Sequence, residues 1–188
     1  VGGRSSRVKG ASAELEIARL VAPWWQAHDP AARFARTPAS GGWGTKDLRA
    51  GFKASGDLMT TSVDFPFVIE VKRREAGSRL QTARGAAARH PAWSWWRQSW
   101  KAADEQAGEP LLIFRRNGQP WRIFLPSAYV RRTGLIGVLS PILLLRDPAP
   151  LPDAAPEKCS VAASYLDALL THSALQRIVA HGLKKDHE

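Results

Sequence analysis

Glu70 and Lys72 stand two residues apart inside the apolar run Phe67-Val68-Ile69-Glu70-Val71-Lys72-Arg73, and Asp57 lies thirteen residues upstream of Glu70 in Gly56-Asp57-Leu58. Side chains of a strand alternate between its faces, so Phe67, Ile69 and Val71 point one way and Val68, Glu70 and Lys72 the other. Charges on a buried strand face are costly unless they are paired, bound to metal or open to a cleft. Two carboxylates and an ammonium at this spacing suit phosphodiester hydrolysis, which needs an activated water and neutralisation of charge on the phosphorus oxygens. Mg²⁺ supplies both, and Mn²⁺ can substitute. Such an ion takes hard oxygen ligands, here the carboxylates of Asp57 and Glu70 and the backbone carbonyl of Val71. Lys72, on the Glu70 face, can orient the water or stabilise the phosphorus centre. A Glu-x-Lys on a strand is by itself usually a solvated pair, and the apolar surroundings with the upstream Asp turn it toward chemistry. Asp47 and Asp64 are the rivals of Asp57, the first in a Gly-rich loop and the second in a turn.

Those groups need elements to hold them. Residues 11–27 read as a helix, because Ile17, Leu20, Val21, Trp24 and Trp25 form one apolar stripe. Glu14 sits at the upstream end of that stripe and reaches the site if the helix packs across the sheet; Glu16 projects elsewhere. A short strand is expected over 32–37, an irregular loop over 38–44, and two adjacent strands over 57–61 and 65–73. Residues 77–91 read as an exposed basic loop or frayed helix. Trp93, Trp96, Trp100 and Ala103 mark a second helix that stops near Gly108. Strands over 111–115 and 121–125 flank Asn117-Gly118, a hairpin signal, and residues 126–133 give one or two helical turns. A Pro-rich linker follows over 147–157, then a C-terminal helix or helical pair. This order predicts an α/β or α+β fold with a mixed sheet.

Of the 27 basic residues 19 are Arg, against 17 acidic residues, and the net charge of +10 points to a polyanionic partner, nucleic acid above all. The apolar content of 44% is enough for a core and excludes wholesale disorder. A single cysteine, Cys159, allows no internal disulfide and no cysteine zinc cluster. The five histidines have no ligand spacing, and no P-loop or dinucleotide fingerprint occurs. The longest apolar stretch, residues 135–145, is broken by Pro141 and too short to span a bilayer. The expectation is a soluble protein of the bacterial or phage-infected host cytoplasm.

Taken together, Lys9-Gly10-Ala11-Ser12-Ala13-Glu14-Leu15-Glu16, Arg36 with Ala39-Ser40-Gly41, Asp57-Leu58 and Glu70-Val71-Lys72 resemble the archaeal-type Holliday-junction resolvases of the PD-(D/E)xK nuclease superfamily. The resemblance covers about residues 7–125. The Trp-rich helix and the Leu-Leu-Ile-Phe-Arg-Arg strand look more like phage-encoded members. The resemblance implies a restriction-endonuclease-like core, a central mixed β-sheet flanked by helices, here assigned to a nuclease domain over residues 1–146; the helical extension over 158–188, read from its own apolar pattern, has no counterpart in that family. The resemblance also implies Glu14, Asp57 and Glu70 as metal ligands, Lys72 as the catalytic lysine and Ser40 beside the scissile phosphate. No Pro precedes Asp57, and the loop between Ser40 and Asp57 is longer than in the compact resolvases.

Candidate DNA contacts are Arg7 and Lys9 before the first helix, Arg36 before the Gly-rich loop, Trp43 within it, and Arg73 and Arg74 after the catalytic strand. Gln98, on the second helix, occupies a position that supports the site in several branches of the superfamily. The leading expectation is a Mg²⁺-dependent, structure-selective endonuclease acting on branched or four-way DNA as a homodimer. The alternatives are a nickase, flap nuclease or recombination exonuclease of the same superfamily, and a basic DNA-binding module without catalysis.

Overall fold

The structure is a computed structural model and describes residues 3–38, 51–74, 91–147 and 156–182. Helix α1 spans Gly3–Gln26 and so begins earlier than its apolar stripe. Ile17, Val21, Trp24 and Trp25 of that stripe are buried, whereas Leu20 turns outward. Strands β1 (Phe34–Arg36), β2 (Lys53–Ser55) and β3 (Leu58–Thr60) form a small antiparallel sheet in the order β1-β3-β2.

The second sheet has five strands in the order β4-β5-β6-β8-β7. Strand β4 (Phe67–Arg74) runs parallel to β5 (Glu109–Arg116), the two joined through helix α2 (Ala92–Gln106). Strand β6 (Arg122–Pro126) returns antiparallel from β5 through the Asn117-Gly118 turn, where Gly118 has φ 73°. Helix α3 (Ser127–Arg132), strand β7 (Leu143–Arg146), strand β8 (Ser160–Tyr165) and the short helices α4 (Leu166–Leu169) and α5 (His172–Arg177) follow.

Two apolar layers sandwich this mixed sheet, as the expected α/β class requires. On one face Ile17, Val21 and Trp25 of α1 pack with Phe67, Ile69, Val71, Ile113 and Ile123, together with Leu166, Leu169 and Leu175 from the C-terminal part. On the other, Trp93 and Trp96 of α2 cover Leu112, Phe114 and Phe124. The two sets follow the period-two alternation along β4 and β5, so the faces read from sequence are the faces seen.

Two expectations change. Residues 57–61 and 65–73 are not neighbouring strands of one sheet: β3 pairs with β1 and β2, and the hairpin meets β4 through an isolated β-bridge from Gly56 to Ile69 rather than through a ladder. The sequence beyond the Pro-rich stretch is not purely helical either, because β8 is inserted between β6 and β7. Asp147, at the start of the expected linker, is buried and holds the Arg97 guanidinium in a two-point pair at 2.7 and 2.9 Å. Trp24 Nε1 donates to the Thr171 carbonyl at 3.1 Å, tying α1 to the C-terminal segment. The described C-terminal residues therefore share the sheet and its core; residues 148–155 lie outside the described ones.

Candidate active site

Asp57 is placed by a turn. Ser55 and Leu58 face each other in the β2–β3 register, leaving Gly56 and Asp57 as a two-residue loop. Gly56 has φ 78°, the first-position requirement of a II′ hairpin turn, which glycine meets without strain. The tip docks on the edge of β4 so closely that a Cβ at Gly56 would lie 2.2 Å from the Ile69 carbonyl oxygen.

Backbone and side-chain bonds lock it there. Asp57 N–H donates to the Ile69 carbonyl at 2.7 Å, and Val71 N–H donates to Asp57 Oδ2 at 2.8 Å. Thr37 donates twice, from N–H to the Asp57 carbonyl at 3.0 Å and from Oγ1 to the Gly56 carbonyl at 2.9 Å. Gly56 N–H donates to Gln106 Oε1, in the last turn of α2, at 3.0 Å. Ser55 Oγ adds a bond to the Phe67 carbonyl.

Asp57 is thereby set against the strand that carries Glu70 and Lys72. Glu70 is 7% exposed, and Lys72 Nζ is ion-paired to its Oε1. Glu14, half-buried on α1, is ion-paired through Oε2 to Arg36 Nε. Burial pushes the Asp57 carboxyl from its ordinary value of 3.8 up to about 7, and the charges of Glu70 and, more weakly, Glu14 push the same way. The Val71 N–H bond and Lys72 oppose the rise. A buried carboxyl so raised, with a second carboxylate acting on it, is one whose ionised form a cation would favour.

The N–H and C=O of one strand residue leave on the same side of the strand, and successive residues on opposite sides, so residues two apart share a side. Since the Ile69 carbonyl and the Val71 N–H both meet Asp57, the Val71 carbonyl leaves β4 on that side as well. Asp57, Glu70 and the Val71 carbonyl thus offer hard oxygens of the kind Mg²⁺ takes. Glu14 is drawn toward Arg36, and among the described residues no group of three or more His, Cys, Asp or Glu side chains is gathered as a metal cage. The donor set fits a divalent ion through two carboxylates and a carbonyl.

The other residues singled out by sequence are distributed differently. Arg36 is engaged by Glu14 rather than free for phosphate. Lys9 is exposed on α1 and Gln98 is exposed on α2. Arg73 Nε donates to Asn117 Oδ1 at 2.9 Å, and the Arg74 guanidinium lies 5.1 Å from the centre of the Trp95 ring. Ser40 and Trp43 lie outside the described residues, as does the side chain of Arg7. Glu16 is turned away from the site, held by Arg115 at 2.6 Å and Trp121 Nε1 at 2.9 Å. An open groove of about 570 Å³ runs beside the Glu14–Arg36 pair, lined by Leu15, Arg19, Phe34 and Met59 among others. Neither Asp57 nor Glu70 lines it.

Sequence reading missed Thr37 and Gln106, the two residues that clamp Gly56. The Gly-Asp pair after a short polar strand was a readable turn signal. Nothing local marked Gln106, which is fifty residues away.

Among the described residues no helix is long and apolar enough to cross a membrane. Neither a curated protein nor a solved structure matches the chain. One protein family does, described as Phage putative PDDEXK endonuclease, and the match covers residues 5–133. That span takes in nearly all of α1, the Asp57 turn, the Glu70–Lys72 strand and the α2–β5–β6 unit, more than half of the chain. With a mixed sheet between helices and a nuclease motif at its edge, the chain belongs to this phage PDDEXK endonuclease family.

Proposed function

We propose that the protein is a divalent-metal-dependent endodeoxyribonuclease that cuts branched DNA, with the four-way junction as its preferred substrate and a homodimer as its working form. The observation that carries the chemistry is the Val71 N–H bond to Asp57 Oδ2, which sets the turn carboxylate beside the strand bearing Glu70 and Lys72.

Asp57, Glu70 and the Val71 carbonyl would hold Mg²⁺ or Mn²⁺, with Glu14 completing the set. Such an ion supplies an activated water and neutralises charge on the phosphate. The chain's own groups do the rest. Lys72, half-buried and paired with Glu70, turns its ammonium to the attacking water and the phosphate oxygens. Asp57 must give up its proton to act, which the cation favours by offsetting the repulsion of Glu70. Arg36, released from Glu14, becomes a phosphate contact. Ser40 stands beside the scissile phosphate, and Arg7, Lys9, Trp43, Arg73, Arg74 and Gln98 supply DNA contacts in this reading.

Junction choice is supported by the likeness of the Glu14, Asp57 and Glu70-Val71-Lys72 motifs to junction resolvases. A four-way junction offers two strands for symmetric cutting, which suits two sites about a two-fold axis. Ile136, Leu143 and Leu144 are exposed large apolar residues available for the contact between copies.

The test uses labelled four-way, flap, single-stranded and linear DNA, with Mg²⁺ or EDTA, for the unmodified chain, Glu70→Ala and Lys72→Ala. The expected result is metal-dependent cutting of the junction, lost in both variants while binding persists. Undiminished cleavage by both variants would sink the site. Equal cutting of every substrate would reject junction selectivity and leave the nuclease; tight binding without any cutting would leave only a DNA-binding module.

A further inference from the structure

Helix α1 carries a second stripe beside the buried one of Ile17, Val21 and Trp25. Leu15, Ala18, Arg19 and Ala22 stand at i, i+3, i+4 and i+7 and so share a face. That face forms one wall of the open groove of about 570 Å³, and Phe34 and Arg36 of β1 stand in the other. Leu15 is 44% exposed, a large apolar side chain left to solvent one residue after Glu14. Phe34 is half-buried, its ring centre 4.9 Å from that of Phe65 and nearly perpendicular to it, so the core holds it in place.

The groove runs into the candidate active site. Arg36 lines it and is ion-paired to Glu14, and the next residue, Thr37, bonds to the Gly56 and Asp57 carbonyls. Among the described residues its lining holds two arginines and no carboxylate, and Arg19, exposed on α1, has no ion pair. A fitting occupant joins negative charge to a flat apolar body. Paired DNA does not, because a duplex stacks its bases inside and turns sugar and phosphate outward. An unpaired nucleotide does: its base has a face for an apolar wall, and its phosphate a partner in a guanidinium. The volume lies in the range of sites that bury a small organic group.

We propose that this groove takes an unpaired base of the DNA strand beside the scissile phosphate. The base lies against Leu15 and Phe34, the small side chains of Ala18 and Ala22 leave it room, and Arg19 meets the phosphate at the end away from Glu14. DNA is the occupant because the groove is continuous with Glu14 and Arg36 and lies on a chain of net charge +10. Resting on DNA as the substrate, the groove narrows the branched class to forms with an unpaired nucleotide at the branch, such as a flap or the opened centre of a four-way junction. No sequence signal singled out Arg19 or Phe34.

The test is binding of the full chain in EDTA, so that no cutting is needed, to three labelled probes: a duplex with a short single-stranded thymidine branch, the same duplex with an abasic branch, and a fully paired duplex. The abasic branch keeps the phosphates and removes the bases, so the unmodified chain should bind the thymidine branch about tenfold more tightly. Leu15→Glu, which sets a carboxylate in the groove, should bring that ratio near one. Leu20→Glu, at an equally exposed leucine of α1 outside the groove, should keep it. Should Leu15→Glu fail to give a native circular-dichroism spectrum, Arg19→Gln should flatten the slope of log K against log[salt] by about 0.7 for the thymidine branch and leave the paired duplex unchanged. A ratio near one in the unmodified chain, a ratio kept by folded Leu15→Glu, or a slope unmoved by Arg19→Gln overturns the base site, leaves the groove to a protein segment and leaves the nuclease reading intact. Absence of binding to all three probes overturns both.

Discussion

Replacing Asp57 by Asn should stabilise the metal-free protein at neutral and basic pH. An ordinary aspartate is ionised well below pH 7, whereas folded Asp57 keeps its proton up to about pH 7. Between those values the folded state binds more protons than the unfolded one, so stability falls as pH rises. The loss is absent below the ordinary aspartate value and complete above the folded one. The rise from 3.8 to about 7, at ~1.4 kcal/mol per pH unit, sets an upper limit of ~4 kcal/mol. Partial solvent access lowers the expected figure to about 2–3 kcal/mol. Asn copies the neutral carboxyl, can accept the same Val71 N–H bond and has no charge to bury. Urea denaturation in EDTA should therefore show the two chains nearly equal at about pH 4 and the Asn variant ahead at about pH 8. Adding Mg²⁺ at the higher pH should narrow the gap, because only the unmodified chain keeps the ligand. Equal stability at about pH 8, or a difference constant across the range, would refute the placing of Asp57 in a desolvated, negatively charged site.

Three further perturbations test how that site is held. Gly56→Ala must both abandon φ 78° and clear a Cβ only 2.2 Å from the Ile69 oxygen, so urea unfolding should show a loss of at least ~2 kcal/mol. Gln106→Ala removes the acceptor of the Gly56 N–H; stability should fall by only ~1 kcal/mol, while kcat drops about tenfold or more with KM little changed. Arg97→Ala leaves Asp147, 5% exposed, without its two-point partner and should cost ~2–4 kcal/mol, part of it recovered by the additional Asp147→Asn change in the same denaturation assay.

Much of the site was legible because its signals are local. Burial of Phe67, Ile69 and Val71 on one side of β4 follows from period-two alternation, and the charged Glu70 and Lys72 fall on the other side. The α1 stripe brought Glu14 toward the site, and the Asn117-Gly118 turn produced the β5–β6 hairpin. The position of β8 was not legible. Val161, Ala162 and Ala163 look the same in a buried helix as in a buried strand, and pairing with β6 and β7 makes the choice.

By itself, then, the sequence singled out Asp57, Glu70 and Lys72 as the candidate set, and it set the alternation that separates charge from core and the basic balance that points to a polyanion. Tertiary structure decided how Asp57 meets that set. It stands in a hairpin turn docked on the edge of β4, held by Thr37 and by a glutamine from the far end of α2. It also decided which arginines meet a carboxylate and which meet an aromatic ring among the described residues. Arg36 and Arg115 find carboxylates, whereas Arg74 and Arg122 find aromatic rings. The physical reason is the same in both cases. A side chain's type and strand parity are written locally, but its partner is set by which distant backbone packs against it, and only that contact fixes its charge state and its free donors.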